Sequence, residues 1–455
     1  MVVKIKKLLF IFLFFFSCNS IASEKIKIIR DAEIEFFLQE IIVSISQNLK
    51  EEGKKFYPRL ILNNEYNAFV TGSNKIYVSS GLINKAESIS EIQGVIAHEI
   101  GHLILNHHTS RLINKDKSSK YSTIAAIAGI GLSIGGKLNS NAATGLIIGG
   151  QDLTTKSYLQ FTRIQEQAAD KFALDIMKKA KISLNGLKSL LSRLSEEEML
   201  NQSLRSDFYR SHPVSKLRLR QLNKYINLPS SSKSVKTKIF INDNNISLEY
   251  VSNKIKAYNQ NSSEILNNER INNEVLYLYN NVVGNLRIGK YDLAINNLNE
   301  LIVKFKNYPF IFELYGDIYF AKGDFKKAIE NYKRAIKILN SNSVGSTDLI
   351  NFSLVKSLLQ TNEVNNYKQS IYILEQLVKT NPRWSYLWRL LAKASGRINQ
   401  KGISYIALAE EALIKKNFLK AKKYVSLAFK FPELSEEYRL RGQEILIRTK
   451  EKNEK

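Results

Sequence analysis

His98-Glu99-Ile100-Gly101-His102 is the stretch on which the reading of this 455-residue chain turns. Ser88 followed by Glu91 makes a capping box, so a helix is expected to begin there and run through the motif. Ile92, Val95, Ile96 and Leu103 form an apolar stripe that would hold this helix against a core. His98 and His102, four apart, project from one face about one turn from each other, a spacing that lets two imidazoles bind one Zn²⁺. Glu99 stands beside such an ion without binding it. It can take a proton from water whose pKa the metal lowers to near 7, and later pass it to a leaving amine. The motif alone recurs by chance, but four of the five histidines (His98, His102, His107, His108) fall within 11 residues. Zinc needs a third protein ligand. Glu166-Gln167-Ala168-Ala169-Asp170 lies on a strongly helical stretch with both acids on one face. Glu166 can complete a His₂Glu site, leaving a fourth position for water or a substrate carbonyl, and Asp170 can hold a ligand imidazole by its second nitrogen.

Working outward, residues 23–228 read as a mixed domain. The apolar run from Ile28 to Ile45 suggests an opening amphipathic helix. Leu60 to Leu62, Ala68-Phe69-Val70 and Ile76-Tyr77-Val78 look like short strands, the last two joined by the hairpin turn Thr71-Gly72-Ser73-Asn74. Two uncharged small-residue runs, Ser122 to Gly136 and Asn139 to Gln151, are too short to span a bilayer. A packed helical pair is expected there, with peripheral membrane contact through 121–151 as the alternative. Pro229-Ser230-Ser231-Ser232-Lys233-Ser234 opens a linker over 229–246. Beyond it the pattern is helical and repeats. Gly289, Tyr291, Ala294, Leu298 and Leu301 recur 34 residues later as Gly323, Phe325, Ala328, Tyr332 and Ala335, and Phe312, Gly316 and Tyr319 fill the Trp, Gly and Tyr positions of a tetratricopeptide repeat. A third copy, displaced around Ser341–Thr347, places Ser370, Leu374, Leu377 and Pro382. Trp388 and Leu391 open a fourth, and Ala421, Val425 and Ala428 continue the series. The expected fold is mainly α: a zincin-type metallopeptidase domain of helices and a small sheet, then an all-α tetratricopeptide solenoid over 247–455.

HEIGH, then EQAAD, then His212-Pro213 with Arg218 five residues after the proline, resembles peptidase family M48, the Ste-twenty-four and HtpX-like zinc endopeptidases. A signal peptide with a C-terminal repeat array resembles its periplasmic branch. The resemblance implies His98, His102 and Glu166 as the ligands of one zinc per chain and Glu99 as general base. Asp170 would steady a ligand, and Arg218 would anchor the loop that carries His212. A histidine at the position of His212 can occupy the open coordination site and keep the enzyme latent; the rival role is to steady the oxyanion. Asn67-Ala68-Phe69 is similar to the family's substrate-pairing edge strand, and His107 matches a common family position with a structural role.

The N-terminus bears on compartment. Lys4, Lys6 and Lys7 precede nine apolar residues, Leu8 to Phe16, and Ser20-Ile21-Ala22 follows, as in a cleaved secretory signal peptide over 1–22. Its removal takes away Cys18, the single cysteine, so no disulfide framework is expected in the periplasm; lipidation of Cys18 is the alternative. With 44% hydrophobic and 10% aromatic residues, disorder is excluded. Lys and Arg outnumber Asp and Glu by 67 to 42, but the charges interleave and form no nucleic-acid signature. They read as solvated helix faces, and no nucleic acid is expected as partner. Residues 381–455 do lean basic, 17 against 8. The chain is therefore expected to be an exported zinc endopeptidase that cleaves misfolded or stalled envelope proteins, its array recruiting substrate or outer-membrane assembly machinery. The alternative is a chaperone or assembly factor whose array is the main activity and whose zinc site is latent or regulatory.

Overall fold

The computed structural model describes residues 27–47, 55–71, 74–107, 163–197, 216–226, 239–241, 244–267, 272–342 and 346–450, with residues 49, 199, 200 and 212 between them. The signal peptide over 1–22, Cys18, His108, the 121–151 runs and the start of the linker lie outside the described residues.

The first unit is built on a four-stranded sheet of order β1-β2-β4-β3: β1 (Ile28–Ile29), β2 (Tyr57–Ile61), β3 (Ala68–Val70) and β4 (Lys75–Ser79). β2 runs parallel to β4, and β3 pairs antiparallel to it with Phe69 opposite Tyr77. Helix α1 (Ala32–Ser46) starts at Asp31, whose side chain accepts from the Ile34 amide. It buries Ile34, Phe37, Leu38 and Ile41 against the sheet. A short α2 (Ser80–Lys85) leads into α3 (Ile89–Ile104), capped by Ser88 through the Glu91 amide. A helix over 163–179, here α4, and α5 (Asn185–Glu197) flank α3, and α6 (Lys216–Ile226) follows.

Helix α3 sits unusually deep because glycines let its neighbours approach. A Cβ on Gly101 would lie 3.2 Å from the Ala169 backbone, and one on Gly94 would lie 2.9 Å from the Leu187 nitrogen. On α5, a Cβ at Gly186 would collide with the Ser90 carbonyl.

The second half of the stretch expected as linker is ordered. β5 (Ile239–Ile241) and β6 (Asn244–Ile246) form an antiparallel hairpin. Every second residue is buried (Ile239, Ile241, Asn244, Ile246), three of the four apolar, which the polar composition masks. Helices then run to Lys450. α7 (Leu248–Asn259) and α8 (Ser262–Leu266) lead into the pairs α9 (Glu274–Arg287) with α10 (Tyr291–Leu301), α11 (Pro309–Lys322) with α12 (Phe325–Asn342), and α13 (Asp348–Leu358) with α14 (Val364–Thr380). α15 (Ser385–Arg397), α16 (Lys401–Ile414), α17 (Phe418–Ala428) and α18 (Glu436–Lys450) complete the array. The 34-residue register has a backbone reason: Gly289 and Gly323 both turn the chain at positive φ, 76° and 86°. Gly316 has its own, since a Cβ there would lie 2.6 Å from the Tyr332 ring.

The two units share one core. Phe36 of α1 packs edge-to-face on Phe310 of α11, with ring centroids 5.7 Å apart. Beside them Lys254 Nζ stands 2.5 Å from Glu33 Oε2 and 3.1 Å from Asp31 Oδ2. The hydroxyls of Tyr308 and Tyr258 donate to Glu33 and Asp31. Farther along, the Arg30 guanidinium lies over the Trp384 ring. No described helix is long and apolar enough to cross a membrane.

Candidate metal centre

α3 and α4 cross where Gly101 meets Ala169, and this crossing aims the side chains of both helices at one point. His98 and His102 project from α3, Glu166 from α4, and His212 arrives from the chain before α6. One ligand atom from each of the four lies within 4.8 Å of the others, and all four residues are at most 4% exposed. His98 Nε2 is 3.0 Å from His102 Nε2, 3.2 Å from Glu166 Oε2 and 3.2 Å from His212 Nδ1. His212 Nδ1 is also 3.0 Å from Glu166 Oε2.

These residues fit a metal. A ring nitrogen offers one N–H or one lone pair, so three of them crowded within hydrogen-bond distance cannot all be satisfied by one another. A cation at their centre would be met by every one of them. Two imidazoles with a carboxylate are the donor set of catalytic zinc, with a further position open.

Around the cluster, Asp170 Oδ1 stands 3.0 Å from His98 Nδ1. Arg218 donates to both Asp170 oxygens, from Nε at 2.6 Å and from Nη2 at 2.8 Å, and its Nη1 reaches the His212 carbonyl at 3.3 Å. Buried Glu99 has Oε1 3.3 Å from His212 Nε2. His107 Nδ1 lies 2.9 Å from His102 Nδ1. The electrostatics follow from these contacts. Burial opposes charge on His98, but hydrogen bonds to Asp170 and Glu166 outweigh it and lift its pKa to about 9. Burial takes His102 the other way, down to about 3. For Glu166, burial is overcome by neighbouring His212 and by hydrogen bonds from the three histidines, which hold it well below the usual carboxylate range. Burial of Asp170 is overcome chiefly by Arg218, leaving its pKa at about 2.

Asn67, Ala68 and Phe69 lie at the sheet's edge, where β3 runs beside α3. Asn67 exchanges hydrogen bonds with Ser79, and Phe69 stacks on Tyr77 at 5.0 Å. One residue the sequence reading gave only a capping role holds this region together. Glu91, fully buried, accepts from Tyr66 OH at 2.8 Å, Arg193 Nε at 3.2 Å and the Glu87 amide at 3.0 Å. Arg193 also lies over the Tyr66 ring. The segment entering the edge strand is thereby pinned to the first turn of the histidine helix. The capping box was visible in sequence; the partners 25 and 102 residues away carried no local signal.

Residues 29–226 match the model of peptidase family M48, and residues 316–342 match a tetratricopeptide repeat. The beta-barrel assembly-enhancing protease of Escherichia coli K12 is 21% identical over 389 residues, covering 84% of this chain and 76% of the relative. Metalloprotease LoiP of the same strain is 28% identical over 36% of this chain and 60% of its own length. The mitochondrial metalloendopeptidase OMA1 of Schizosaccharomyces pombe is 26% identical over 35% of this chain and 43% of its own. These likenesses, with the buried cluster, show a metallopeptidase domain followed by a helical repeat array.

Proposed function

We propose that this chain, which carries a peptidase family M48 domain followed by tetratricopeptide repeats, is an exported zinc endopeptidase of the HExxH, His₂Glu kind. The observation that carries the reading is the convergence of His98, His102 and Glu166 with Glu99 beside them in a buried site. His98, His102 and Glu166 would hold one zinc, which supplies a Lewis acid that polarises a peptide carbonyl and acidifies water. Glu99 takes the proton of the attacking water and delivers it to the leaving amine. Asp170 keeps His98 in one tautomer by holding Nδ1, and Arg218 fixes Asp170 and the backbone of His212. The outer edge of the sheet, at Asn67 and the β3 residues Ala68 and Phe69, pairs with substrate backbone, which gives affinity without demanding sequence.

Misfolded or stalled envelope proteins in the periplasm are the substrate class we favour, with the array recruiting them or the outer-membrane assembly machinery. Support for this comes from the likeness to the E. coli beta-barrel assembly-enhancing protease and from the leader-like N-terminus; the domain boundaries at 22, 228 and 246 belong to the same reading. His212 crowds the ligand cluster and touches Glu99, which supports a latent resting state and keeps the assembly-factor reading alive.

The test is metal analysis with cleavage of an unfolded protein. Glu99→Gln should lose activity by about 10²–10⁴-fold while keeping one zinc; loss of zinc in that variant would sink the assignment. His212→Ala should raise basal cleavage with zinc retained. A lower rate would make His212 an oxyanion donor instead.

A further inference from the structure

Near the end of the array lies a charge pattern that peptide cleavage does not use. From Ala412 to Pro432 there are six lysines (Lys415, Lys416, Lys420, Lys422, Lys423 and Lys430) and no aspartate, glutamate or arginine. The run covers the end of α16, the turn at Lys416 with φ of 60°, and all of α17. Lys415 is taken by Glu411 at 2.6 Å. Among the described residues the other five make no ion pair; the acids just before the run are paired, Glu411 also with Arg389 and Glu410 with Arg441, and the next acids after it are the exposed Glu433, Glu436 and Glu437. The inward side of α17 is spent on Ala421, Val425 and Ala428, all fully buried. On its outward side Leu419 is 82% exposed at the first turn, with Lys423 one helical turn on, Lys420 beside it in sequence and Lys416 in the turn before the helix.

We propose that the α16–α17 turn and the outer face of α17 dock on an anionic phospholipid bilayer, with the lysines against headgroups and Leu419 entering the headgroup boundary. Two features favour a bilayer over an acidic polypeptide. Every cation in the run is lysine, a mobile point charge suited to a diffuse negative surface. Shaped recognition of carboxylates would call for the arginine fork. And a large aliphatic side chain stands free among the charges, the arrangement of a shallow interfacial anchor. Each lysine brought to such a surface strengthens binding by about fivefold.

The experiment is co-sedimentation of the full-length protein with phosphatidylcholine vesicles, with and without phosphatidylglycerol. Binding should require phosphatidylglycerol and weaken as salt rises. The triple variant Lys416→Glu, Lys420→Glu, Lys423→Glu should bind at least about a hundredfold more weakly, and Leu419→Ser several-fold more weakly, each with unchanged melting temperature and peptide cleavage. Equal binding to neutral vesicles, or a triple variant that binds as the wild type does, overturns the proposal. So does capture of the wild type by polyglutamate when vesicles fail to bind it, which would assign the face to an acidic protein.

Discussion

Asp170 shows how much of the centre hangs on one carboxylate. Its two oxygens serve different masters, His98 on one side and Arg218 on both, and Arg218 continues to the His212 carbonyl. Asp170→Asn keeps the shape but removes the charge that the guanidinium and the imidazole share. Zinc affinity should fall about 10–100-fold, read by chelator competition; unchanged affinity would mean His98 is oriented by packing alone. Tyr66→Phe is a gentler probe, since it deletes only the hydroxyl on Glu91. If that bond sets the edge strand against α3, KM for an extended peptide should rise several-fold while kcat and zinc content hold. A parallel fall in kcat and zinc would instead mark it as part of the general scaffold. At this scale the two pairs that meet in the buried cluster were readable because helical spacing alone brings His98 to His102 and Glu166 to Asp170. Glu91's wider role was not, because a buried carboxylate and a capping one look alike until their distant partners are known.

Among the elements, the packing of α3 on α4 depends on Gly101, the variable-looking residue inside the motif. Gly101→Ala would press a methyl on the Ala169 backbone. Overpacking of this kind costs about 1–3 kcal/mol, and here the strain falls directly on the Glu166–His98 approach. The expected result is a lower melting temperature together with weaker zinc binding. A destabilised variant with full metal affinity would show that the two helices can separate without opening the site. The array's helix pairs were legible from side-chain period and from glycines that must turn at positive φ, as Gly289 and Gly323 do. The β5–β6 hairpin was hidden because three-residue strands give too short an alternation to stand out from a polar linker.

At the scale of the molecule, the array is anchored to the peptidase unit and is not a tethered appendage. The order of a mixed unit followed by a helical array was readable from sequence, but their joint was not: Lys254 and Glu33 are 221 residues apart, and each sits in a helix whose pattern fits a solvent face equally well. Removing residues 247–455 would strip Phe310 from Phe36 and leave Glu33 and Asp31 without Lys254. The truncated chain is therefore expected to aggregate or melt far below the full-length protein in a thermal scan. A soluble truncation with the wild-type melting point would contradict a shared core. The same joint has a pH signature. Burial, then the nearby Asp317 charge, raises the pKa of Glu313 well above 4.5. A raised carboxylate binds its proton in the folded state after the unfolded chain has released it, so stability declines as pH rises above about 4.5 toward that raised value. Glu313→Gln should flatten the decline, measured by urea unfolding at pH 5 and pH 7.5; an unchanged slope would place the proton elsewhere.

The bond from Tyr308 to Glu33 closes a loop of 275 residues, and this bears on the timing of biosynthesis. Helix α1 is among the first described elements to leave the ribosome or a translocation pore, yet the side chains that seat it arrive only with α7 and α11. Until then buried Glu33 lacks first Lys254 and then the Tyr308 hydroxyl, and the sheet beneath the metal helix lacks its final support. A nascent chain cut short before Tyr308 should therefore be digested by an added protease, whereas one that reaches Trp384 should resist. The hydrolytic centre would thus be completed last, once nearly all of its own polypeptide has passed beyond its reach.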